Sequence, residues 1–425
     1  MDKQIIKSII IEKQDAILNY KIIHRDQIFG NTTNYVLVGL RRAGKSYTLY
    51  QDIQDRVAAK KSKIEEVLYI NFEDERLNGI KVDELQLIID CYKELYPNNT
   101  PILYLDEIQI IEGWEKFARR LADSKYRVMI TGSNAKMLST EIASTLGGRY
   151  ITREIFPFSF KEYLLYKGIS VDNNWLFHQQ IKAKIAKLFD SYLHEGGIAE
   201  SIDQPDKREY LNALYQKILL GDIVVRNNIR NARVFRFIAK KLACSVMQPL
   251  SLSRIQHMVK STGDNISLPV LKDYVEYMQD AYLLFCIPNL ATSLAEQNSI
   301  QKRYVIDNGL LNLFLFQGET SLLENIVAVE LNRRFRNTQE DTQLYYYNRN
   351  IEVDFCIPQE KLAIQVSYNI DDASTLNREI GALKKFIQVF PDYNGIVITR
   401  DSTEEITLNE NKTIKVIPIW EWLLE

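Results

Sequence analysis

The 425-residue sequence predicts an α/β fold: a parallel sheet with helices on both faces, followed by a helical part and a second α/β part. Three observations predict it. Short β-rich runs alternate with helical stretches through about residue 155, apolar residues recur at helical spacing from about Trp175 to Leu220, and strand-length runs return after residue 344. A chain of this length exceeds what one core can serve, and three domains are expected, at 1–165, 166–295 and 296–425.

Hydrophobic residues at 46% and charged residues at 25% lie in the ordinary globular range, which excludes a disordered or fibrous chain. The formal net charge is only -2, so any contact with DNA must rest on local basic clusters. Cys91, Cys244, Cys286 and Cys356 are scattered without metal-ligand spacing and read as buried thiols in a reducing compartment. The N-terminal apolar run is interrupted by Lys7 and has no small-residue cleavage site. The most apolar later stretches fall far short of the ~20 residues needed to cross a bilayer. A soluble, cytoplasmic protein with no membrane partner is expected.

Tyr35 to Val38 form a β-rich run that leads into Gly39, Leu40, Arg41, Arg42, Ala43, Gly44, Lys45 and Ser46, and a helix is expected from Tyr47 to Val57. This is the P-loop pattern in its strand-loop-helix setting. The glycines let backbone N–H groups close around phosphates, and the new helix turns its positive end toward them. Lys45 is placed to reach the β- and γ-oxygens, Ser46 offers its hydroxyl to Mg²⁺, and Tyr47 closes the set of candidate nucleotide-binding residues.

A second apolar run, Ile102 to Leu105, delivers Asp106 and Glu107 to the sheet's C-terminal edge. Asp106 is the candidate Mg²⁺ partner, and Glu107 the candidate acid that orients and deprotonates the attacking water. A third run, Tyr126 to Ile130, ends in Thr131-Gly-Ser-Asn134; Ser133 and Asn134 are either sensors of the γ-phosphate or an ordinary turn and helix cap. Val67 to Phe72 adds a strand, followed by Glu73, Asp74 and Glu75. No guanine-reading Asn-Lys-x-Asp follows, so ATP is expected rather than GTP.

Together with Leu105-Asp-Glu-Ile-Gln109, Ile130-Thr-Gly-Ser-Asn134, Gly147-Gly-Arg149 and Phe156-Pro-Phe-Ser-Phe160, the P-loop resembles the prokaryotic AAA-type P-loop ATPases of the archaeal ATPase and STAND-like group. The resemblance continues through His194-Glu-Gly-Gly197 and Asp222-Ile-Val-Val-Arg226 into the C-terminal third. It implies ATP hydrolysis with Mg²⁺. It also makes Arg149 a candidate arginine finger or γ-phosphate sensor, acting in its own chain or, in a homo-oligomer, in a neighbouring one.

Arg226, Arg230, Arg233, Arg236, Lys240 and Lys241 form the clearest basic stretch. Leu252 to Val259 and Leu268 to Met278 then read as a helix-turn-helix with an extended segment behind it, and the resembling family carries a winged-helix domain here. Two partners are consistent with it, DNA or another protein, because Asp273 and Glu276 would repel phosphate on the second helix.

In the last third, the helix Leu322 to Phe335 carries Glu330, and the runs 344–347, 351–357 and 362–368 read as strands. This resembles the core of restriction-endonuclease-like domains, with Glu330 and Asp354 at two acidic positions. Where that resemblance implies Glu-x-Lys, the chain has Gln365 and Ser367. It therefore lacks a carboxylate and a cation, and only Lys384 or Lys385 offers a replacement cation. A degenerate nuclease-like module is expected. The leading functional expectation is an ATP-driven switch or motor, the alternative an ATP-regulated DNA-binding protein, and an ATP-dependent nuclease is the least favoured.

Overall fold

The computed structural model describes residues 2–133, 144–172, 174–297, 300–315, 318–335, 344–369, 373–409 and 412–425. By internal contacts the chain divides into two compact units, Met1–Phe156 and Pro157–Glu425, where the sequence pointed to three domains.

In the first unit, the strands are β1 Asn34–Val38, β2 Val67–Asn71, β3 Ile102–Asp106, β4 Val128–Gly132 and β5 Tyr150–Glu154. They are ordered β2-β3-β4-β1-β5 and pair in parallel. β1 and β4 are buried at every position, as strands covered on both faces must be. β5 alternates between half-buried and exposed, the pattern of an edge strand.

Because parallel strands need crossovers, their C-terminal ends gather at one edge. That edge carries Gly39 after β1, Glu107 after β3 and Ser133 after β4. The helices Lys45–Ala58, Leu85–Leu95 and Trp114–Asp123 each bury one face. The first is locked to the sheet by Asp52, which accepts from Arg56 and Arg127 at 2.9 Å and from the Tyr104 hydroxyl at 2.6 Å. At the N-terminus, the apolar run that Lys7 interrupts is the buried face of the helix Lys3–Ile17, with Ile6, Ile9, Ile10 and Ile17 inside. Its Gln14 donates to the Val67 carbonyl at 2.8 Å.

The second unit opens with helices that include Gln179–Glu195, which buries Ile185, Phe189, Tyr192 and Leu193. The helices Ala232–Ala243, Leu252–Lys260 and Leu268–Asp280 are accompanied by an antiparallel sheet of β6 Leu250–Ser251, which precedes the second helix, and β7 Leu284–Pro288 and β8 Ile300–Val305, which follow the third, ordered β6-β8-β7. Ser251 and Ser267 cap the second and third of these helices.

A further sheet, β13-β14-β12-β11-β10-β9, comprises β9 Tyr345–Asn348, β10 Glu352–Ile357, β11 Leu362–Ser367, β12 Asn394–Thr399, β13 Glu404–Asn409 and β14 Lys412–Pro418. β10 and β11 are antiparallel, whereas β11, β12 and β14 run parallel. The helix Ala373–Val389 crosses between β11 and β12, and its Leu383 and Phe386 meet Val353, Ala363, Val397 and Ile414 in the core. Among the described residues no helix is long and apolar enough to cross a membrane.

Candidate functional site

The loop after β1 turns in a way that few residue types allow. Gly39 has φ 141° and Gly44 has φ 95°, and a Cβ on Gly39 would lie 2.2 Å from the Ile155 carbonyl oxygen. Gly44 is the N-cap of Lys45–Ala58, so the first N–H groups of that helix open onto the loop. Lys45 is buried and folds back over the loop, donating to the carbonyls of Gly39 at 3.2 Å and Leu40 at 3.1 Å. Its Nζ lies 3.9 Å from Glu107 Oε1. Arg41 reaches Glu73 at 3.5 Å, and Tyr47 is half-exposed with its ring 6.5 Å from that of Tyr20.

Asp106 ends β3 fully buried. The Tyr69 hydroxyl donates to its Oδ2 at 2.5 Å and the Thr131 hydroxyl to its Oδ1, and the Ser46 hydroxyl lies near enough to act on it. Burial pushes the Asp106 carboxyl above the usual range, while the hydroxyls of Thr131, Tyr69 and Ser46 pull it back. Burial likewise raises the Tyr69 phenol well above its ordinary value, which keeps it a donor. A buried carboxylate near a P-loop serine and held by hydroxyl donors fits Mg²⁺, whose hard charge would favour the anion.

Glu107 occupies a left-handed backbone position at φ 55°, which is strained for glutamate. Its N–H donates to Thr131 Oγ1 at 2.9 Å, so one threonine orders both acids. The Glu107 carboxylate accepts from Gln109 and, at 3.4 Å, from Ser133. Lys45, Ser46, Asp106, Glu107 and Ser133 are therefore brought together. Asn134 lies outside the described residues. Sequence reasoning gave no role to Tyr69 or to Thr131, although the first stands in a strand it identified and the second opens the Thr131-Gly-Ser-Asn134 segment it singled out.

Arg149 is placed elsewhere. It precedes β5, whose Tyr150 pairs with Asn34 at the start of β1, whereas the P-loop follows the other end of β1. The length of a five-residue strand, roughly 17 Å, separates the two ends. The Arg149 side chain pairs with Asp123, and its carbonyl accepts from Asn34 at 3.2 Å. A γ-phosphate sensor acting within its own chain is thereby corrected.

In the second unit, Glu330 is not the acid that faces the sheet: it pairs with Arg333 and, at 2.8 Å, with Arg334. Six residues along a helix amount to about a 120° turn, and the facing acid is Glu324. Lys302 on β8 is buried among Glu324 at 3.4 Å, Glu352 at 3.1 Å and Asp354 at 3.0 Å. Tyr304 donates to Glu324 at 2.6 Å. Asp354 Oδ2 accepts from the Val366 N–H at 3.0 Å, Gln365 donates to Glu379 at 2.6 Å, and Ser367 donates to the Asn369 carbonyl at 3.2 Å. The cation beside Asp354 is thus Lys302, while Lys384 and Lys385 are exposed. The Lys302 ammonium and the Val366 N–H already engage both oxygens of Asp354.

Residues 31–164 match a family model described as an AAA domain, and residues 186–321 match a domain of unknown function, DUF8612. The uncharacterized protein MJ1544 of Methanocaldococcus jannaschii is 34% identical over 440 residues, covering 100% of this chain and 96% of its own length. An uncharacterized protein of Haemophilus influenzae is 28% identical over 410 residues, covering 92% and 94%. The Walker-type ATPase PABY2304 of Pyrococcus abyssi superposes with a TM-score of 0.43 at 15% identity, covering 70% of this chain and 99% of that one.

Proposed function

Because this chain belongs to the family of the Methanocaldococcus jannaschii protein MJ1544 and carries an AAA domain at residues 31–164, we propose that it is an Mg²⁺-dependent ATPase acting as a molecular switch or motor. The observation that carries the reading is the approach of Lys45 Nζ to within 3.9 Å of Glu107 Oε1, beside the buried Asp106 at the end of the neighbouring strand. One amine thereby stands next to the candidate base at the edge where the loop's N–H groups open.

In this reading the N–H groups of the loop and of the helix start hold the β- and γ-phosphates, and Lys45 exchanges its bonds with the Gly39 and Leu40 carbonyls for phosphate oxygens. Ser46 and Asp106 would hold Mg²⁺, which would neutralise phosphate charge when bound. Glu107 orients the attacking water and accepts its proton, with Ser133 and Gln109 setting the carboxylate's angle. Arg149 serves the site of a neighbouring copy, since its own phosphate loop lies beyond its reach. The second unit carries the load that nucleotide state repositions, with residues 232–305 as a winged-helix element and the last sheet as a non-cleaving nuclease-like module.

Release of phosphate from Mg·ATP by the full chain tests this reading. Turnover is expected, with Glu107→Gln retaining nucleotide but losing roughly 100-fold in rate. Full turnover by that variant would remove Glu107 from its role.

A second reading, ATP-regulated DNA binding, is favoured by one observation. Arg226, Arg230, Arg233, Arg236 and Lys240 are all exposed, and the last three share a face of Ala232–Ala243. Retention on DNA that weakens steeply with salt would support it, and no retention at low salt would reject it.

A further inference from the structure

We propose that Arg25 is a positioning residue that sets the phosphate loop and passes its state to the end of the AAA unit. This rests on the nucleotide reading above, yet the motifs that support that reading do not include Arg25.

The segment before β1 crosses the helix Lys45–Ala58, and Gln51 fastens it there. The Gln51 side chain accepts from the Arg25 N–H at 2.9 Å and donates to the Arg25 carbonyl at 3.0 Å. Both residues are buried. So anchored, the Arg25 guanidinium forks, with Nη1 donating to the Ala43 carbonyl at 3.0 Å and Nη2 to the Phe156 carbonyl at 2.7 Å.

The first prong acts through the peptide plane. In a trans peptide the C=O and the following N–H point in opposite directions, so holding the Ala43 carbonyl outward aims the Gly44 N–H inward, toward the phosphate position. A charged donor on that carbonyl also polarises the same peptide, which strengthens the N–H as a donor.

The second prong reaches the last residue of the unit. Phe156 is followed by Pro157, where the second unit begins. The backbone just before it already leans on the loop's start, because the Ile155 N–H donates to the Val38 carbonyl at 2.8 Å and the Ile155 carbonyl leaves room only for a glycine at 39. Since the guanidinium is planar and rigid, a shift of the Ala43 carbonyl on phosphate binding moves the donor that holds Phe156. Lysine cannot reproduce this, because a single ammonium on a flexible stem does not hold two carbonyls in a fixed plane.

The test uses the full chain and a non-hydrolysable ATP analogue with Mg²⁺, reading equilibrium affinity and hydrogen exchange of the amides at 155–160. In the natural protein, saturating analogue should change the exchange of that segment. Arg25→Met should bind roughly tenfold more weakly and, once saturated, should leave that segment's exchange unchanged. Arg25→Lys, the variant more certain to fold, should recover part of the affinity and none of the exchange response. Unaltered affinity, or a full response in either saturated variant, would overturn the proposal. Failure of the natural protein to bind the analogue would instead overturn the nucleotide reading, and this proposal with it.

Discussion

The Tyr69 phenol, on the strand next to β3, donates a 2.5 Å hydrogen bond to Oδ2 of Asp106. With Thr131 on Oδ1, the acid proposed to hold the metal is held from both sides by neutral donors. Removing such a supporting group typically weakens metal affinity by about 10- to 100-fold. Tyr69→Phe should therefore raise the Mg²⁺ concentration for half-maximal ATP turnover by roughly tenfold. A Mg²⁺ titration of the rate checks this, and an unchanged midpoint would show that Tyr69 only packs.

Arg149 stands at the far end of β1 from its own phosphate loop. If it completes a neighbour's site, Arg149→Ala and Lys45→Ala should each be inactive alone yet regain turnover when mixed. One variant keeps an intact loop and the other an intact finger. Rates measured across mixing ratios decide it, and no recovery at any ratio would count against action between copies.

Lys302 is enclosed by Glu324, Glu352 and Asp354. Removing one partner of a buried ion cluster strands the rest, at about 3–5 kcal/mol. Lys302→Met should lower stability by that order in urea titrations, whereas Lys384→Ala, at an exposed site, should stay within about 0.5 kcal/mol. Equal effects would remove Lys302 as the cation of this cluster.

Burial raises the Asp307 carboxyl from 3.8 to about 6, although the N–H groups of Gly197, Leu310 and Gly309 oppose the shift. Between those values the unfolded chain has released its proton while the native carboxyl still holds one. The native state therefore binds more protons, and stability should fall as pH rises from about 4 to about 6, by on the order of 2 kcal/mol. Asp307→Asn should flatten that decline, as read from urea midpoints at a series of pH values. An unchanged slope would place its cause elsewhere.

The strands and loop of the nucleotide site were legible because covered parallel strands are continuous apolar runs and the P-loop has a fixed spacing. β1 to β4 fall within two residues of their expected positions. β5 escaped notice because an edge strand buries little, and Tyr-Ile-Thr-Arg-Glu carries no apolar run. The hydroxyls of Tyr69 and Thr131 were hidden for another reason: strand register, not sequence spacing, brings them to Asp106. The same limit explains Glu324. Both Glu324 and Glu330 lie on the expected helix, and only packing shows which acid meets the sheet. Lys302 could not be foreseen, since it comes from a strand of a different sheet.

The proposed chemistry rests on a phosphate cup formed by Gly39 to Ser46 with Asp106 beside it. Calorimetric titration of the full chain with ATP tests it most directly, run with Mg²⁺ and with chelator, on the natural protein and on Lys45→Ala. Saturable uptake that strengthens with Mg²⁺ and is lost in Lys45→Ala is the expected result. No heat of binding for ATP in either condition, or identical binding by Lys45→Ala, would contradict it.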